Sequence, residues 1–435
     1  MTSETVQTEV GSYFISNYPP YSQWTADQID EVYQAMAAPP QDVPMGLYLH
    51  IPFCRKRCKF CYFKVFIEKN AADIGRYMEA IEHEIQWVSE QPCVGERPIR
   101  FFYFGGGTPS FISVRQLESL ADRLRKHIAW DQAEEVTFEC EPGTLSESKI
   151  QAIRAMGVTR LSLGIENFND AILEQNGRAH LTAEIDRCWD WIVQAEFPNV
   201  NVDLIAGMVG ETWETWKETV KRTVELAPDS VTIYQMELPF NTVYSQEILN
   251  EKTPTPVADW PTKREWVDYA FGEFEAIGYQ INSAYTVVKD PQRVHFRYRD
   301  HLFQGSDLLT TGIAAFGHVS GVHYQNLPEW GDYLGQLLDE QRLPLWRAYR
   351  PTAQQLLIRE LVLILKTGKL QRKYFQDKFA VDILSQWSEI WERYAESELV
   401  TLHEDRIELT RKGLLQADGL LPAFFEPQFQ GVRYT

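Results

Sequence analysis

The chain has 435 residues, which is enough for one large catalytic domain with smaller appendages. Its 42 basic and 61 acidic residues give a net charge of −19, and this argues against nucleic-acid binding, which needs a basic patch. The N-terminus lacks the charged start and apolar centre of a secretion signal, and no run of about eighteen apolar residues occurs. We therefore expect a cytoplasmic protein without a membrane span.

Residues 1–44 contain several prolines and little regular pattern, so we expect an N-terminal arm that lies on the main domain. In the core, predicted at 45–285, short apolar strands alternate with helical patterns. Six strands are predicted, at 46–50, 100–104, 135–139, 160–164, 199–205 and 230–235, and a further strand at 279–283.

Helical patterns lie between these strands, and the first, near 73–90, repeats apolar residues at three- and four-residue spacing. Repeated strand–helix units imply a parallel sheet with helices outside it. Six units are too few for the eight-unit barrel, so the predicted fold class is α/β, with a partial, open (β/α)6 barrel. In such folds the chemistry lies at the C-terminal ends of the strands.

The pattern changes after the core. Residues 286–345 are expected to connect the domains on the substrate side, and 346–435 to form a separate cap. Helices are predicted there at 351–369 and 373–398, followed by two short strands around a turn at Glu404 and Asp405. We interpret this region as a winged-helix-like substrate lid, since the basic patch of a DNA-binding domain is missing.

Three cysteines, Cys54, Cys58 and Cys61, lie within eight positions in the segment HIPFCRKRCKFCYF. This spacing is unlike an extracellular disulfide framework and is typical of thiolates that converge on a metal centre. Tetrahedral zinc would need a fourth ligand, for which His50 and His83 are candidates. A 4Fe–4S cluster normally takes four cysteines, so three would leave one iron open to chelate a small molecule.

The cysteine motif and an ordered series of further motifs resemble the radical SAM superfamily. The motifs are YLHIPFC, FGGGTPS, ECEPGT, SLGIENF, NGRAH and VDLIAGM. More narrowly, the sequence resembles the family of oxygen-independent coproporphyrinogen III oxidase and its relatives, the haem chaperones and class C radical methyltransferases. The resemblance covers residues 10–330 well and the C-terminal region more loosely.

This resemblance implies a 4Fe–4S cluster on the three cysteines and one or two molecules of S-adenosylmethionine. It also implies a reductant such as flavodoxin or ferredoxin. Tyr48, six residues before Cys54, would contact the S-adenosylmethionine near the cluster. The backbone at Gly106, Gly107 and Thr108 would approach its amino group, because glycine permits close contact.

Carboxylates at strand ends have further implied roles. Glu139 would hold a ribose or an ammonium group, and Asp203 a ribose or an amino group. Many relatives carry glutamine in place of Glu166, and an ionised glutamate accepts hydrogen bonds but cannot donate them. Arg178, twelve residues later, would pair with a ligand carboxylate. A second S-adenosylmethionine would suit Glu166 and Asp203.

Apolar and histidine residues are weaker candidates for the site. Phe60, Met236 and Phe316 would contact ligand, although such residues are more often part of the core. His318 and His323, in or near the segment GIAAFGHVS, would lie on the substrate side, although isolated histidines are more often structural.

Three functions compete, and the prediction favours the first. A coproporphyrinogen oxidase-like enzyme would cleave S-adenosylmethionine to start hydrogen abstraction on a tetrapyrrole. A radical methyltransferase would transfer a methyl group, and a haem chaperone would bind haem without this catalysis. The arm sequence NYPPYSQW resembles that of the decarboxylating enzymes. Those enzymes usually carry a fourth cysteine two positions after the third, where this chain has Phe63.

Overall fold

A computed structural model of the chain describes residues 6–252 and 256–434. The ends of the predicted arm and cap, residues 1–5 and 435, lie outside the described residues, as do core residues 253–255. The main sheet has twelve strands: β1 Met45–Ile51, β2 Ile99–Gly106, β3 Glu135–Cys140, β4 Arg160–Glu166, β5 Asn199–Ala206, β6 Ser230–Gln235, β7 Gln280–Ile281, β8 Thr286–Val288, β9 Asp307–Thr311, β10 Phe316–Val319, β11 Val322–Asn326 and β12 Leu345–Tyr349.

Strands β1 to β6 lie side by side and parallel, in chain order. This confirms the predicted α/β class with six strand–helix units in an open sheet. The sheet also continues beyond both ends of this group. Strand β9 pairs parallel with β1 and leads to the antiparallel strands β10, β11 and β12, while β8 and β7 follow β6. The predicted strand at 279–283 is reduced to the two residues of β7.

The helices of the core cover the outer face of the sheet. Several of them begin at side-chain caps, such as Asn70 with Asp73 and Ser113 with Gln116, which satisfy free backbone N–H groups. Up to residue 339 they are α1 Ile29–Ala37, α2 Ala71–Ser89, α3 Val114–Arg125, α4 Glu147–Ala155, α5 Asp170–Gln175, α6 Thr182–Gln194, α7 Trp213–Leu226, α8 Val243–Glu251, α9 Trp260–Ala276, α10 Arg297–Phe303 and α11 Trp330–Leu334, which continues as a π-helical turn, Gly335–Asp339.

The N-terminal arm joins the core to the C-terminal cap. Its helix α1, which the sequence pattern did not predict, buries Val32 and Met36 in the main core. Ahead of this helix the ring of Tyr13 stacks on Tyr434 at 4.2 Å, and the backbone N–H of Ser16 donates to the Tyr434 hydroxyl at 2.9 Å. The two ends of the described chain therefore pack against each other.

The cap has its own small sheet and core, in agreement with the winged-helix-like prediction. Strands β13 Lys369–Gln371, β14 Val400–Leu402 and β15 Arg406–Leu409 pair antiparallel with β15 in the centre. Its helices are α12 Ala353–Leu365, α13 Arg372–Phe379, α14 Ile383–Gln386, α15 Ser388–Glu396, α16 Arg411–Leu414 and α17 Ala417–Leu420. The helix predicted at 373–398 is divided because Ala380 adopts a left-handed backbone with φ of 55°. No helix of the described residues is long and apolar enough to cross a membrane.

Candidate active site

A cavity of about 560 Å³ opens where the loops after the parallel strands converge. Twelve predicted site residues and ligands contribute to its wall: Cys54, Cys58, Phe60, Cys61, Gly106, Gly107, Thr108, Glu139, Glu166, Arg178, Asp203 and Met236. The tertiary structure thus brings together residues that are up to 182 positions apart in the sequence, counted from Cys54 to Met236.

The cysteine loop leaves the end of β1 and returns to the same place. The N–H of Cys54 donates to the carbonyl of Phe66 at 3.1 Å, and the N–H of Phe66 donates to the carbonyl of Pro52 at 2.7 Å. On the other side, the N–H of Gly107 donates to Ile51 at 2.8 Å. These bonds fix both ends of the loop against the glycine-rich end of β2.

Close packing at this end of β2 requires glycine. A Cβ atom on Gly107 would lie 3.0 Å from the Cys54 sulfur and 2.9 Å from the backbone of Pro52. Gly106 has φ of 117°, a conformation that other residues rarely adopt. The glycines therefore let the backbone of β2 lie against the cysteine loop.

The three thiols suit an iron–sulfur cluster. Thr108 Oγ1 donates to Cys54 Sγ, and Arg178 Nη1 donates to Cys58 Sγ, each at 3.3 Å. Burial raises the pKa of Cys54 to about 11 and of Cys61 to about 12. They are therefore neutral at pH 7 without metal, and an electron-poor centre is needed to bind them as thiolates.

Neither of the two candidate histidines is placed to act as the fourth ligand of a zinc ion. His83 is exposed on α2, and His50 is buried with its ring against Gly106. Within residues 6–252 and 256–434, no three or more His, Cys, Asp or Glu side chains are placed so that together they could hold one metal ion. An all-sulfur donor set on one loop agrees better with a cluster, in which each thiolate binds a different iron.

Buried carboxyl groups of β3, β4 and β5 form an acidic wall, although Asp203 lies inside β5 and not at its end as expected. Burial and the nearby Asp203 raise the pKa of Glu139 to about 7, although Tyr103 donates to it at 2.7 Å. Burial likewise raises the pKa of Asp203 to about 6, against hydrogen bonds from Ser162 and Asn201. Glu139, Asp203 and Glu166 all line this wall. Three buried acids so close together favour a ligand that carries positive charge.

Glu166 and Arg178 form the third part of this wall. Burial raises the pKa of Glu166 to about 7, even though Arg178 Nη2 lies 3.5 Å from its Oε1. The same nitrogen donates to the carbonyl of Gly164 at 2.7 Å. Glu166 also has an unusual φ of 66° at the end of β4. Arg178 thus joins the acidic wall to Cys58.

Two predicted contact residues do not line the cavity. The hydroxyl of Tyr48 is bonded to His50 Nδ1 at 3.1 Å, and its ring packs beside Gly105, behind the cavity wall. Phe316 packs against Tyr21 and Trp24 of the arm, with ring centroids 4.4 and 5.6 Å apart.

The two histidines proposed for the substrate side also lie in the region of the arm. Their rings are 4.5 Å apart, and Trp24 stacks on His323 at 5.3 Å. His318 Nδ1 lies 3.2 Å from the Ser306 carbonyl, to which it donates. Both rings are nearly fully buried, and neither lines the main cavity.

Sequence reasoning missed one ion pair that supports the cysteine loop. Arg55 donates to both carboxylate oxygens of Glu141, at 2.9 and 3.2 Å, and also to the carbonyl of Ala179. Although burial opposes ionisation, hydrogen bonds from His180 and Arg55 hold the pKa of Glu141 at about 2. Glu141 and His180 lie in the motifs ECEPGT and NGRAH, so the signal was present in the sequence.

The comparisons with known proteins agree with this site. Residues 48–223 match the family model of the Radical SAM superfamily. The matched region carries the cysteine loop and the carboxyl groups of the cavity wall. The match supports the cofactors predicted from the sequence, a 4Fe–4S cluster and S-adenosylmethionine.

Relatives extend the similarity to most of the chain. The sequence is 27% identical to an oxygen-independent coproporphyrinogen III oxidase of Escherichia coli K12, over 92% of this chain and 89% of that one. It is 28% identical to the heme chaperone HemW of Lactococcus lactis, over 88% and 97%. The solved structure of E. coli coproporphyrinogen III oxidase (HemN) matches with a TM-score of 0.82 and 24% identity, covering 94% and 96%. This structure shows the same fold. The predicted resemblance is confirmed by the superfamily match together with the two relatives.

Replacing Gly107 with alanine is expected to impair cluster assembly, because the added Cβ would push against Cys54 and the Pro52 backbone. Overpacking of this kind costs about 1–3 kcal/mol. We expect a clearly lower iron and sulfide content after anaerobic reconstitution. Gly75→Ala, at a helical position with no atom within 4 Å of the new Cβ, is the control. Equal iron contents in the two variants would contradict the packing argument.

Replacing Glu166 with glutamine is expected to flatten the pH dependence of stability in the metal-free protein. The pKa of Glu166 is raised from 4.5 to about 7, so its stabilising contribution is complete below pH 4.5 and is lost as the pH rises through 7. The loss amounts to at most about 3 kcal/mol. Urea unfolding between pH 5 and 8 measures it, with exposed Glu174→Gln as the control. The idea fails if both variants show the pH dependence of the unsubstituted protein.

Proposed function

We propose that this protein is a radical SAM enzyme of the coproporphyrinogen III oxidase type, which abstracts hydrogen from a tetrapyrrole. The observation that carries the proposal is the single cavity lined by the cysteine loop, the acidic wall and a set of aromatic rings. Each of these three features meets one requirement of the reaction.

The cysteine loop would hold the cluster through Cys54, Cys58 and Cys61. When bound, the cluster and S-adenosylmethionine supply the electron and the carbon-centred radical that the chemistry needs. Cys54 is buried, with 9% of its surface exposed, Cys58 and Cys61 are half-buried, and Arg178 places a cation beside Cys58. This arrangement offsets part of the negative charge of the thiolates and limits the access of water.

The acidic wall would bind the cationic parts of S-adenosylmethionine. Glu139 is held by Tyr103 and by the backbone N–H of Gly106, at 2.7 and 3.1 Å, so its oxygens are fixed before any ligand binds. A fixed carboxylate costs less conformational entropy on binding than a mobile one. Asp203 is fixed in the same way by Ser162.

Aromatic rings line the side of the cavity next to the arm. Phe14, from the arm, packs edge-on against Tyr234 and Tyr285, with centroids 5.6 and 5.9 Å apart. Tyr298 packs on Tyr103 at 4.5 Å. Such rings offer apolar faces to a large flat ligand, which supports a tetrapyrrole substrate. The oxidase relative also matches 92% of the chain, so its similarity is not confined to the radical SAM domain.

A haem chaperone is the second candidate, and one observation favours it. Tyr62 and Phe63 stack at 4.6 Å on the cysteine loop, and they remain 39% and 43% exposed. Such a pair offers an accessible surface for a flat ligand, and Phe63 takes the place of the fourth cysteine of decarboxylating enzymes. The identity to heme chaperones is similar to that to the oxidases.

Anaerobic reconstitution tests the proposal. With S-adenosylmethionine and dithionite, in place of the flavodoxin or ferredoxin donor, we expect 5′-deoxyadenosine, and with added coproporphyrinogen III we expect carbon dioxide. Cys58→Ala should abolish both products, because the cluster loses one ligand. Cys188→Ala, a buried thiol on α6, should retain them.

The other outcomes identify the competing functions. No 5′-deoxyadenosine from protein with verified iron and sulfide, together with stoichiometric haem binding, would establish the chaperone. Transfer of a labelled methyl group to the tetrapyrrole would establish a methyltransferase.

A further inference from the structure

The cavity extends well beyond the ends of the strands at which the cysteines lie. Its wall includes Glu135 and Arg160, the first residues of β3 and β4, as well as Glu166, the last residue of β4. A strand of this length spans about 20 Å. One ligand could therefore contact both the acidic wall and the opposite end of the sheet.

Several cationic side chains line the cavity, and two of them already have partners within the protein. Arg160 bonds to Glu135, to the Ser230 hydroxyl and to the carbonyl of His295. Lys366, on the cap side, donates to the Ile15 carbonyl at 2.7 Å and lies 3.1 Å from Asp418. These two groups serve the fold, since their charges and donors are used within the protein.

Arg299 differs from both. Its Nε donates to Asp300 at 2.8 Å, and its Nη2 donates to Asn282 at 2.9 Å. The third nitrogen, Nη1, is buried and has no hydrogen-bond partner within the described part of the chain. A buried donor of this kind is uncommon, because it has lost its water without gaining a partner. Arg299 is also one of the residues that line the cavity, so a ligand that moves its guanidinium slightly would meet a donor with no partner to give up.

The surroundings hold the Arg299 guanidinium in place. It lies over the ring of Phe296, 4.6 Å from the centroid, and Arg160 lies over the same ring at 4.2 Å. The carboxylate of Asp300 is 41% exposed, so solvent weakens its compensation of the Arg299 charge. The open nitrogen thus belongs to a fixed cation, which suits a carboxylate.

We propose that Arg299 anchors a carboxylate of the substrate through Nη1, at the end of the cavity away from the cysteines. This inference rests on the proposed function and adds a residue that orients the substrate. The anchored carboxylate would fix one edge of a large polyacid, so that another part of it lies near the acidic wall. S-adenosylmethionine also carries a carboxylate, and the experiment must separate the two sources.

Binding measurements on the reconstituted full chain test the anchor without turnover. The probes are coproporphyrin III, its tetramethyl ester and S-adenosylmethionine, the porphyrins followed by fluorescence in the same solvent. Arg299→Met should weaken binding of the free acid by roughly tenfold to a hundredfold, as expected for a hydrogen bond between charged groups. The ester and S-adenosylmethionine should bind as they do to the unsubstituted protein.

Arg297→Met is the matched control, because Arg297 lies on the same helix, pairs with Glu134 and does not line the cavity. It should change no affinity. If Arg299→Met does not fold, Arg299→Gln and Arg299→Lys replace it, and the lysine should restore part of the affinity for the free acid.

Three results would overturn the anchor: unchanged binding of the free acid, equal weakening of acid and ester, or weakening of S-adenosylmethionine alone. The last would assign Arg299 to the cofactor. Formation of 5′-deoxyadenosine without substrate is measured on the same variants. If the unsubstituted protein forms no 5′-deoxyadenosine, the proposed function is contradicted. The ratio of the affinities for the free acid and the ester decides the anchor in either case.

Discussion

The contact between the cysteine loop and the glycine-rich end of β2 is the constraint on which the site depends. The N–H groups of Gly107 and Thr108 donate to carbonyls on either side of Pro52, both at 2.8 Å. These bonds hold the segment that leads into Cys54 against a backbone without side chains. Because even a single methyl group would collide there, the position of the first thiol is determined by the sheet itself. The other end of the loop is fixed by the Phe66 carbonyl.

The distribution of charge along the cavity follows from this arrangement. Carboxyl groups lie at or next to the last residues of β3 and β4 and within β5, and their raised pKa values reflect burial without enough compensating charge. Arg178 connects this wall to Cys58, and Arg299 occupies the opposite end of the cavity. A ligand with positive charge near the cysteines and negative charge far from them would match both ends.

The arm and the cap complete the cavity rather than merely flanking it. Phe14 of the arm and Lys366 of the cap both contribute to its wall, and the Lys366 ammonium donates to the backbone of Ile15. The packing of Tyr13 on Tyr434 joins the same two segments. Access to the cavity therefore depends on parts of the chain that are distant in sequence.

The sequence alone determined the properties that depend on neighbouring residues. The spacing of Cys54, Cys58 and Cys61, the glycines after β2 and the six parallel strands are local patterns, and the carboxylates at strand ends follow from them. Strands β8 to β12 were not predicted, because they are short, and β8, β9 and β11 are buried throughout, so they show no alternation. Their place in the sheet is decided by pairing with distant segments.

The same distinction applies to the site. Only the tertiary structure decided that Phe316 packs on the arm instead of the cavity, that Arg55 binds Glu141, and that Arg299 keeps one nitrogen free of any partner among the described residues. Each of these facts depends on which side chains meet across more than ten residues of chain. Residue type and spacing indicate what chemistry a side chain can perform, but the folded arrangement decides which groups are already satisfied and which remain available to a ligand.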